Sequence, residues 1–321
     1  MISTSNIILG HQRQIAYLDR VRECGTMAHA YLFHGPDKIG KRAIALEWIK
    51  TLFCSAGKKR INDSCSGCAE CKKIEHNTHP NLIQLSLEKT LVYKKETRKE
   101  IPIEDIREVI RLFSYAPAGN QWRVLVIDEA EKMSGEAADA FLKTLEEPGE
   151  QTLIIFITSA PDLIPTTILS RSQIIAFSLV SDSAMREFLE KQKTDSKTTE
   201  AIIPLAAGRP GTAKELLSNP EKRQEMQKNF TQLKEILERA GAPEIFLFSE
   251  RIAADPAVRV QCIEYALGIL REKLLSQAGA ENHLPGRIKQ VDRLATTLET
   301  SNVNPRLALD ILLLKARGIV A

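Results

Sequence analysis

The sequence lacks an apolar stretch long enough to cross a membrane, and no basic segment followed by an apolar one stands at its start. A transmembrane helix needs ~20 consecutive apolar residues, and a secretory leader has a charged segment before its apolar one. The formal net charge is also small, at +3 for 321 residues, which argues against a protein that coats nucleic acid. We therefore expect a cytoplasmic protein without a membrane partner.

Cysteine is scarce, with six residues in the chain. In a reducing compartment these are better explained by thiols and metal than by disulfides. Four lie close together in the pattern C-x10-C-x2-C-x2-C: Cys54, Cys65, Cys68 and Cys71. Gaps of two residues let neighbouring thiolates converge on one tetrahedral ion, so the pattern predicts a closed, structural zinc site. Segment 57–64 is mostly polar and should need the metal for order, whereas the isolated Cys24 and Cys262 are expected to be buried.

Three apolar runs, 30–34, 124–127 and 152–157, predict buried parallel strands. Apolar residues at helical spacing alternate with them. This alternation predicts an α/β, doubly wound parallel sheet with ligands at the carboxyl ends of its strands. After Phe177 the strand signals stop and the pattern is helical, and Asn304-Pro305 predicts the start of the final helix.

Gly35, Gly40 and Lys41 match most of a phosphate-binding loop, in which backbone amides approach phosphates and the lysine reaches the outer ones. An active loop continues with Ser or Thr to hold magnesium, but this chain has Arg42, which cannot ligate a cation. Asp128-Glu129 follows a strand where a metal-coordinating Asp and a water-activating Glu would belong. The pattern therefore predicts that the chain does not hydrolyse ATP. Two alternatives remain for binding: the loop binds nucleotide without hydrolysing it, or it is a relic that no longer binds nucleotide.

Ser170-Arg171-Ser172 follows the third predicted strand and a proline-containing loop. An arginine at a domain edge can reach a phosphate held by a neighbouring subunit and stabilise transition-state charge. The alternative is a surface arginine in a salt bridge, since such ion pairs are common.

Together these segments resemble the clamp-loader branch of the AAA+ family, which includes subunits of bacterial DNA polymerase III. The resemblance rests on residues 8–12, 28–33, the four-cysteine module, 128–130, 140–148 and 169–172, and it covers nearly the whole chain. It implies a AAA+ domain over 1–178 with the zinc module 54–71 inserted, a helical lid over 179–219 and a helical collar for oligomerisation over 220–321.

The resemblance also implies residue roles. Arg171 would be an arginine finger for the adjacent subunit's ATP, and Thr158 would occupy the sensor position at the end of the third strand. Arg42 and Gly211 depart from the ATP-hydrolysing gamma and tau subfamilies, which favours the delta-prime subfamily. Ser172 replaces the usual cysteine of the Ser-Arg-Cys motif, a change that should leave the arginine's role intact.

The function implied is that of a rigid stator in a hetero-pentamer with gamma/tau and delta subunits. This assembly places a sliding clamp on primed DNA in the replisome at the nucleoid. Two other hypotheses remain open: an ATP-hydrolysing gamma/tau-type subunit, and a zinc-dependent nucleic-acid-binding module in which the basic run 58–60 is the working surface.

Overall fold

A computed structural model describes residues 8–319 except 64, 66, 93–98, 116, 118, 120, 277–285, 287–289, 292–293 and 295–303. The chain divides into two compact units, Met1–Ala184 and Met185–Ala321. Within the described ranges, no helix is long and apolar enough to cross a membrane.

A five-stranded parallel sheet organises the first unit. Its strands are β1 (Ala30–His34), β2 (Leu82–Leu85), β3 (Arg123–Ile127), β4 (Thr152–Thr158) and β5 (Gln173–Ala176). Their order is β2-β3-β4-β1-β5. Successive side chains of a strand point to opposite faces, so Tyr31 and Phe33 join one core with Trp48, and Leu32 joins the other with Phe156. The predicted α/β parallel fold is confirmed.

Helices cover both faces of this sheet. They are α1 (Gln12–Glu23), α2 (Lys41–Phe53), α3 (Ala69–Glu75), α4 (Ile103–Phe113), α5 (Gly135–Glu146) and α6 (Thr166–Leu169). Helix α5 begins where the Ser134 hydroxyl accepts a hydrogen bond from the Ala137 amide at 3.1 Å. Its predicted apolar face is buried through Ala138, Phe141 and Leu145.

Strands β2 and β5 were not among the predicted strands. They are the two edges of the sheet, each is four residues long, and each includes a glutamine. Gln84 is a buried polar residue in β2, while Ile174 in β5 is 47% exposed. Edge strands are often short and partly solvated, which removes the signal that identified the central strands.

The second unit is helical throughout its described residues. Helix α7 (Asp182–Lys191) leads into it, followed by α8 (Ser196–Ala206), α9 (Pro210–Ser218), α10 (Pro220–Arg239), α11 (Ala242–Ala253), α12 (Pro256–Ser276) and the last helix (Pro305–Arg317). That helix starts as predicted, with Pro305 in the first turn and Asn304 Oδ1 accepting from the Arg306 amide at 3.0 Å. The second unit contains the predicted collar and residues 185–219 of the predicted lid, and the predicted domain bounds stay a prediction.

Candidate functional site

The glycine-lysine loop joins β1 to α2 at the carboxyl end of the sheet. Gly35 has φ 144°, and its amide donates to the Thr158 carbonyl at 3.3 Å. Gly40, with φ 103°, is the N-cap of α2. Only glycine adopts such backbone angles readily, so both predicted loop glycines are required by the conformation of the loop itself.

Lys41 folds back onto its own loop. Its Nζ donates to the carbonyl oxygens of Gly35 and Pro36, the latter at 2.8 Å, and lies 3.9 Å from Asp37 Oδ1. The side chain is 5% exposed, and burial lowers the pKa of the ammonium group. To reach a phosphate, Lys41 would have to exchange carbonyl partners for the ligand.

Arg42 lies against the carboxylate that follows β3. Its Nη1 is 3.7 Å from Asp128 Oδ2, and its Nη2 donates to Gln84 Oε1 at 3.1 Å. Gln84 belongs to β2, so the ends of two neighbouring strands hold the guanidinium group. Burial raises the pKa of Asp128, and the Arg42 charge opposes that rise.

The other predicted polar residues at this end of the sheet accept hydrogen bonds from the protein's own backbone. Glu129 Oε2 accepts a hydrogen bond from the Leu87 amide at 3.3 Å, and burial raises the pKa of Glu129. The Thr158 hydroxyl accepts from the Ala160 amide at 3.0 Å. The structure therefore brings the predicted nucleotide-site residues to the carboxyl end of the sheet. There the polar side chains have partners within the protein.

Arg171 follows the short helix α6 and is 36% exposed. Its Nη2 donates to Glu146 Oε1 at 2.7 Å, and its Nη1 lies 3.2 Å from both the Thr167 carbonyl oxygen and the Ser170 hydroxyl. Glu146 is the last residue of α5. Within this chain, Arg171 thus forms the surface ion pair that the sequence allowed as an alternative to the finger.

The four predicted cysteine ligands come together in one cluster. One sulfur atom from each of Cys54, Cys65, Cys68 and Cys71 lies within 4.8 Å of the others. Cys54 Sγ is 3.6 Å from Cys65 Sγ and 3.8 Å from Cys68 Sγ. Sulfur atoms ~2.3 Å from a tetrahedral metal are ~3.8 Å apart, so the cluster fits a metal ion.

Backbone amides favour the thiolate forms of two ligands. The Cys68 amide lies 3.5 Å from Cys65 Sγ, and the Cys71 amide 3.5 Å from Cys68 Sγ. The bond from Cys68 lowers the pKa of Cys65. Burial opposes ionisation of Cys68, but bonds from Cys71 and Ser55 lower the pKa of this thiol to about 5. Metals bind the thiolate, so these amides support a metal site.

A buried network of charges joins the cysteine module to α2. Lys58 Nζ is 2.9 Å from Glu47 Oε2, and Lys50 Nζ is 2.7 Å from both Glu47 Oε1 and Glu75 Oε1. Lys58 also donates to the Ile61 carbonyl oxygen at 2.7 Å. Buried ions require such pairing, and the network attaches the module to the helix that follows the glycine loop.

The family is decided by the N-terminal half of the chain. A sequence model for "DNA polymerase III, delta subunit" matches residues 10–181. The chain belongs to the DNA polymerase III delta-subunit family. DNA polymerase III subunit delta' from Pseudomonas aeruginosa is 30% identical over 249 residues, which are 77% of this chain and 73% of that protein.

The chain is also similar to proteins named for other subunits of DNA polymerase III. DNA polymerase III subunit tau from Escherichia coli is 32% identical over 164 residues, covering 51% of this chain and 24% of tau. A DNA polymerase III gamma subunit-related protein from Thermotoga maritima, known as a crystal structure, covers 95% of this chain and 98% of its own, with 17% identity and a TM-score of 0.42.

The basic run 58–60 is only partly available to a ligand, because Lys59 and Arg60 are exposed and Lys58 is not, and the nucleic-acid-binding alternative stays a hypothesis. Lys58 is buried in the network, and Arg60 Nε is 2.8 Å from Glu23 Oε1. Segment 57–64 also has an apolar anchor, because Ile61 is 2% exposed and packs in the core beneath α2. The predicted need of this segment for metal stays a prediction.

The two isolated cysteines differ. Cys262 is buried as predicted, and burial raises the pKa of its thiol to about 12. Cys24 is exposed, which contradicts the prediction. It is the C-cap residue of α1. This end of the helix is open to solvent, whereas the apolar face of α1 packs against the core.

Proposed function

We propose that the chain is a delta-prime-type clamp-loader subunit that does not hydrolyse ATP and acts on the ATPase site of a neighbouring subunit. The observation that carries this proposal is the Arg42–Asp128 ion pair at 3.7 Å, which puts a guanidinium cation where a hydrolysing loop binds magnesium. Membership of the delta-subunit family and the similarity to delta' and tau support the clamp-loader role.

In this proposal the chain assembles with gamma/tau and delta subunits in a hetero-pentamer, which loads a sliding clamp onto primed DNA. Arg171 is the residue offered to the neighbour, as a guanidinium that stabilises charge on the transferring phosphate. Its partial exposure permits this role, provided that it exchanges the Glu146 carboxylate for the phosphate. The predicted roles of Gly35, Lys41, Glu129 and Thr158 are those of a retained loop architecture that performs no hydrolysis.

Hydrolysis measured with and without a partner tests the proposal. The purified chain alone is expected to release no phosphate from ATP above a no-enzyme control. Mixed with a gamma-type subunit and a delta subunit, it should raise the hydrolysis rate of the mixture. Hydrolysis by the chain alone that is lost in Asp128→Ala would contradict the proposal and indicate a gamma/tau-type enzyme.

The four-cysteine cluster is proposed to hold a structural zinc ion. Four sulfur ligands complete a tetrahedral shell and leave no position for substrate. The ion would fix the C-cap of α2 at Cys54 and the N-cap of α3 at Cys68 relative to each other. Its contribution is therefore to order the module rather than to take part in chemistry.

Removing one ligand is expected to release the metal. Native mass spectrometry should find one zinc ion per wild-type chain and none in Cys68→Ser, because three thiolates bind less tightly and the site is open to water. The same variant should lose ~2 kcal/mol or more of unfolding free energy, since bound metal stabilises the fold that holds it. Cys24→Ser, at an exposed cysteine outside the cluster, is the control and should retain both; equal metal loss in the two variants would refute the assignment.

A further inference from the structure

The carboxyl end of the sheet, around the glycine loop, contains charged side chains of both signs. Asp128, Glu129 and Glu131 follow β3, and Asp37 lies within the loop. The charges of Asp37, Asp128 and Glu131 raise the pKa of Lys41 against the effect of burial, and they add to the burial that raises the pKa of Glu129. A nucleotide that carries several negative charges would be repelled here unless cations compensated them.

In hydrolysing loops the additional cation is magnesium. It is held by the hydroxyl of the residue after the loop lysine and by an Asp that follows another strand of the sheet. Here the first position is Arg42, which has no oxygen ligand, and the second is Asp128, whose Oδ2 faces Arg42 Nη1 at 3.7 Å. This pair does not fit a magnesium ion, because Arg42 offers no ligand and its guanidinium faces the carboxylate that would be the other one.

Arg42 is fixed in this position by a second partner. Its Nη2 donates at 3.1 Å to Gln84 Oε1, and Gln84 is 4% exposed and donates its own amide to Asn77. A guanidinium group bound to a carboxylate on one side and a buried amide on the other has a defined orientation. Arg42 is therefore oriented by two partners, and its side chain remains half exposed.

We propose that Arg42 is the residue that excludes metal-bound nucleotide from this loop, because its guanidinium takes the place of the magnesium ion against Asp128. The Lys41 ammonium group donates to carbonyl oxygens of the loop. Both cations of the loop, Lys41 and Arg42, therefore have partners within the protein when no nucleotide is bound. The inference rests on the proposed function in treating the loop as non-hydrolysing, but it concerns the isolated chain and does not involve Arg171.

Substitution of Arg42 tests this in the purified full chain, with ADP as the probe. Arg42→Thr supplies a hydroxyl and frees Asp128, so it should bind ADP at least ~10-fold more tightly than wild type when magnesium is present. The gain should disappear when EDTA replaces magnesium. Affinity is measured by calorimetry, and ligand-induced stabilisation against heat gives a second readout.

Two variants separate charge from space. Arg42→Lys retains a cation near Asp128 and should not gain affinity, whereas Arg42→Thr combined with Asp128→Asn should lose the gain of the single variant. Arg42→Ser, which supplies the same hydroxyl, serves if the Thr variant does not fold with a wild-type circular dichroism spectrum. Magnesium-dependent ADP binding by wild type equal to that of the hydroxyl variant would overturn the inference, as would a gain that persists in EDTA or no gain in a folded variant.

These outcomes are independent of the proposed function. Hydrolysis by the wild-type chain, or a partner ATPase that does not respond to this chain, would contradict the proposed function. Failure of the Arg42 variants to gain magnesium-dependent binding would contradict the inference alone.

Discussion

Replacing Arg171 by alanine is expected to lower ATP hydrolysis at the neighbouring subunit's site by about 10³-fold, the scale of a lost arginine finger. A finger acts on charge that develops in the transition state, so the loss should appear mainly in kcat. The fold of the chain should be unaffected, because Arg171 is partly exposed and its ion pair with Glu146 lies at the surface. Steady-state hydrolysis by the reconstituted complex measures the effect.

Matched variants at the same ion pair make this result specific. Arg171→Lys keeps the charge but lacks the planar, forked donor group, so most of the loss should remain. Glu146→Gln leaves Arg171 intact and weakens its intrachain partner, so the rate should stay at or above that of wild type. If Arg171→Ala assembled normally and hydrolysed ATP at the wild-type rate, Arg171 would be a surface ion-pair residue without a role in the neighbouring site.

Gly35→Ala is expected to destabilise the first unit by more than ~4 kcal/mol, which is exceptional for one substitution. A Cβ at this position would lie 2.2 Å from the carbonyl oxygen of Phe177, a backbone atom that cannot move aside without shifting the end of β5. The φ of 144° adds strain for any residue with a side chain. Urea unfolding of the purified chain measures the loss.

Gly40→Ala is the control for this prediction. Its φ of 103° is also unfavourable for alanine, but a Cβ there would have no heavy atom within 4 Å among the described residues. We therefore expect ~1–3 kcal/mol from backbone strain alone. An equal cost for the two variants would show that the close approach at Gly35 is relieved by a small movement of the chain.

The sequence predicted those features that depend on strong local patterns. The continuous apolar runs of β1, β3 and β4 identify central strands because both faces of a covered parallel sheet are buried. The spacing of Cys54, Cys65, Cys68 and Cys71 similarly identifies one cluster, because short gaps leave few other arrangements. Both predictions are confirmed by the positions of these residues.

The partners of the charged residues could not be predicted in the same way. Gln84, which helps to fix Arg42, belongs to an edge strand that the apolar pattern did not reveal. Glu146 and Arg171 are 25 residues apart and meet only because α5 and α6 pack together. Such pairs depend on tertiary placement, and an isolated sequence gives the residue type without its neighbour.

The buried charge network limits how this chain can evolve. Glu47 is shared by Lys50 and Lys58, so replacing the glutamate alone would leave buried ammonium groups without their common partner. Breaking one member of such a group typically costs ~3–5 kcal/mol, whereas replacing the whole group by apolar residues is often neutral. The two lysines and the glutamate are therefore expected to tolerate joint replacement by apolar residues better than replacement of the glutamate alone.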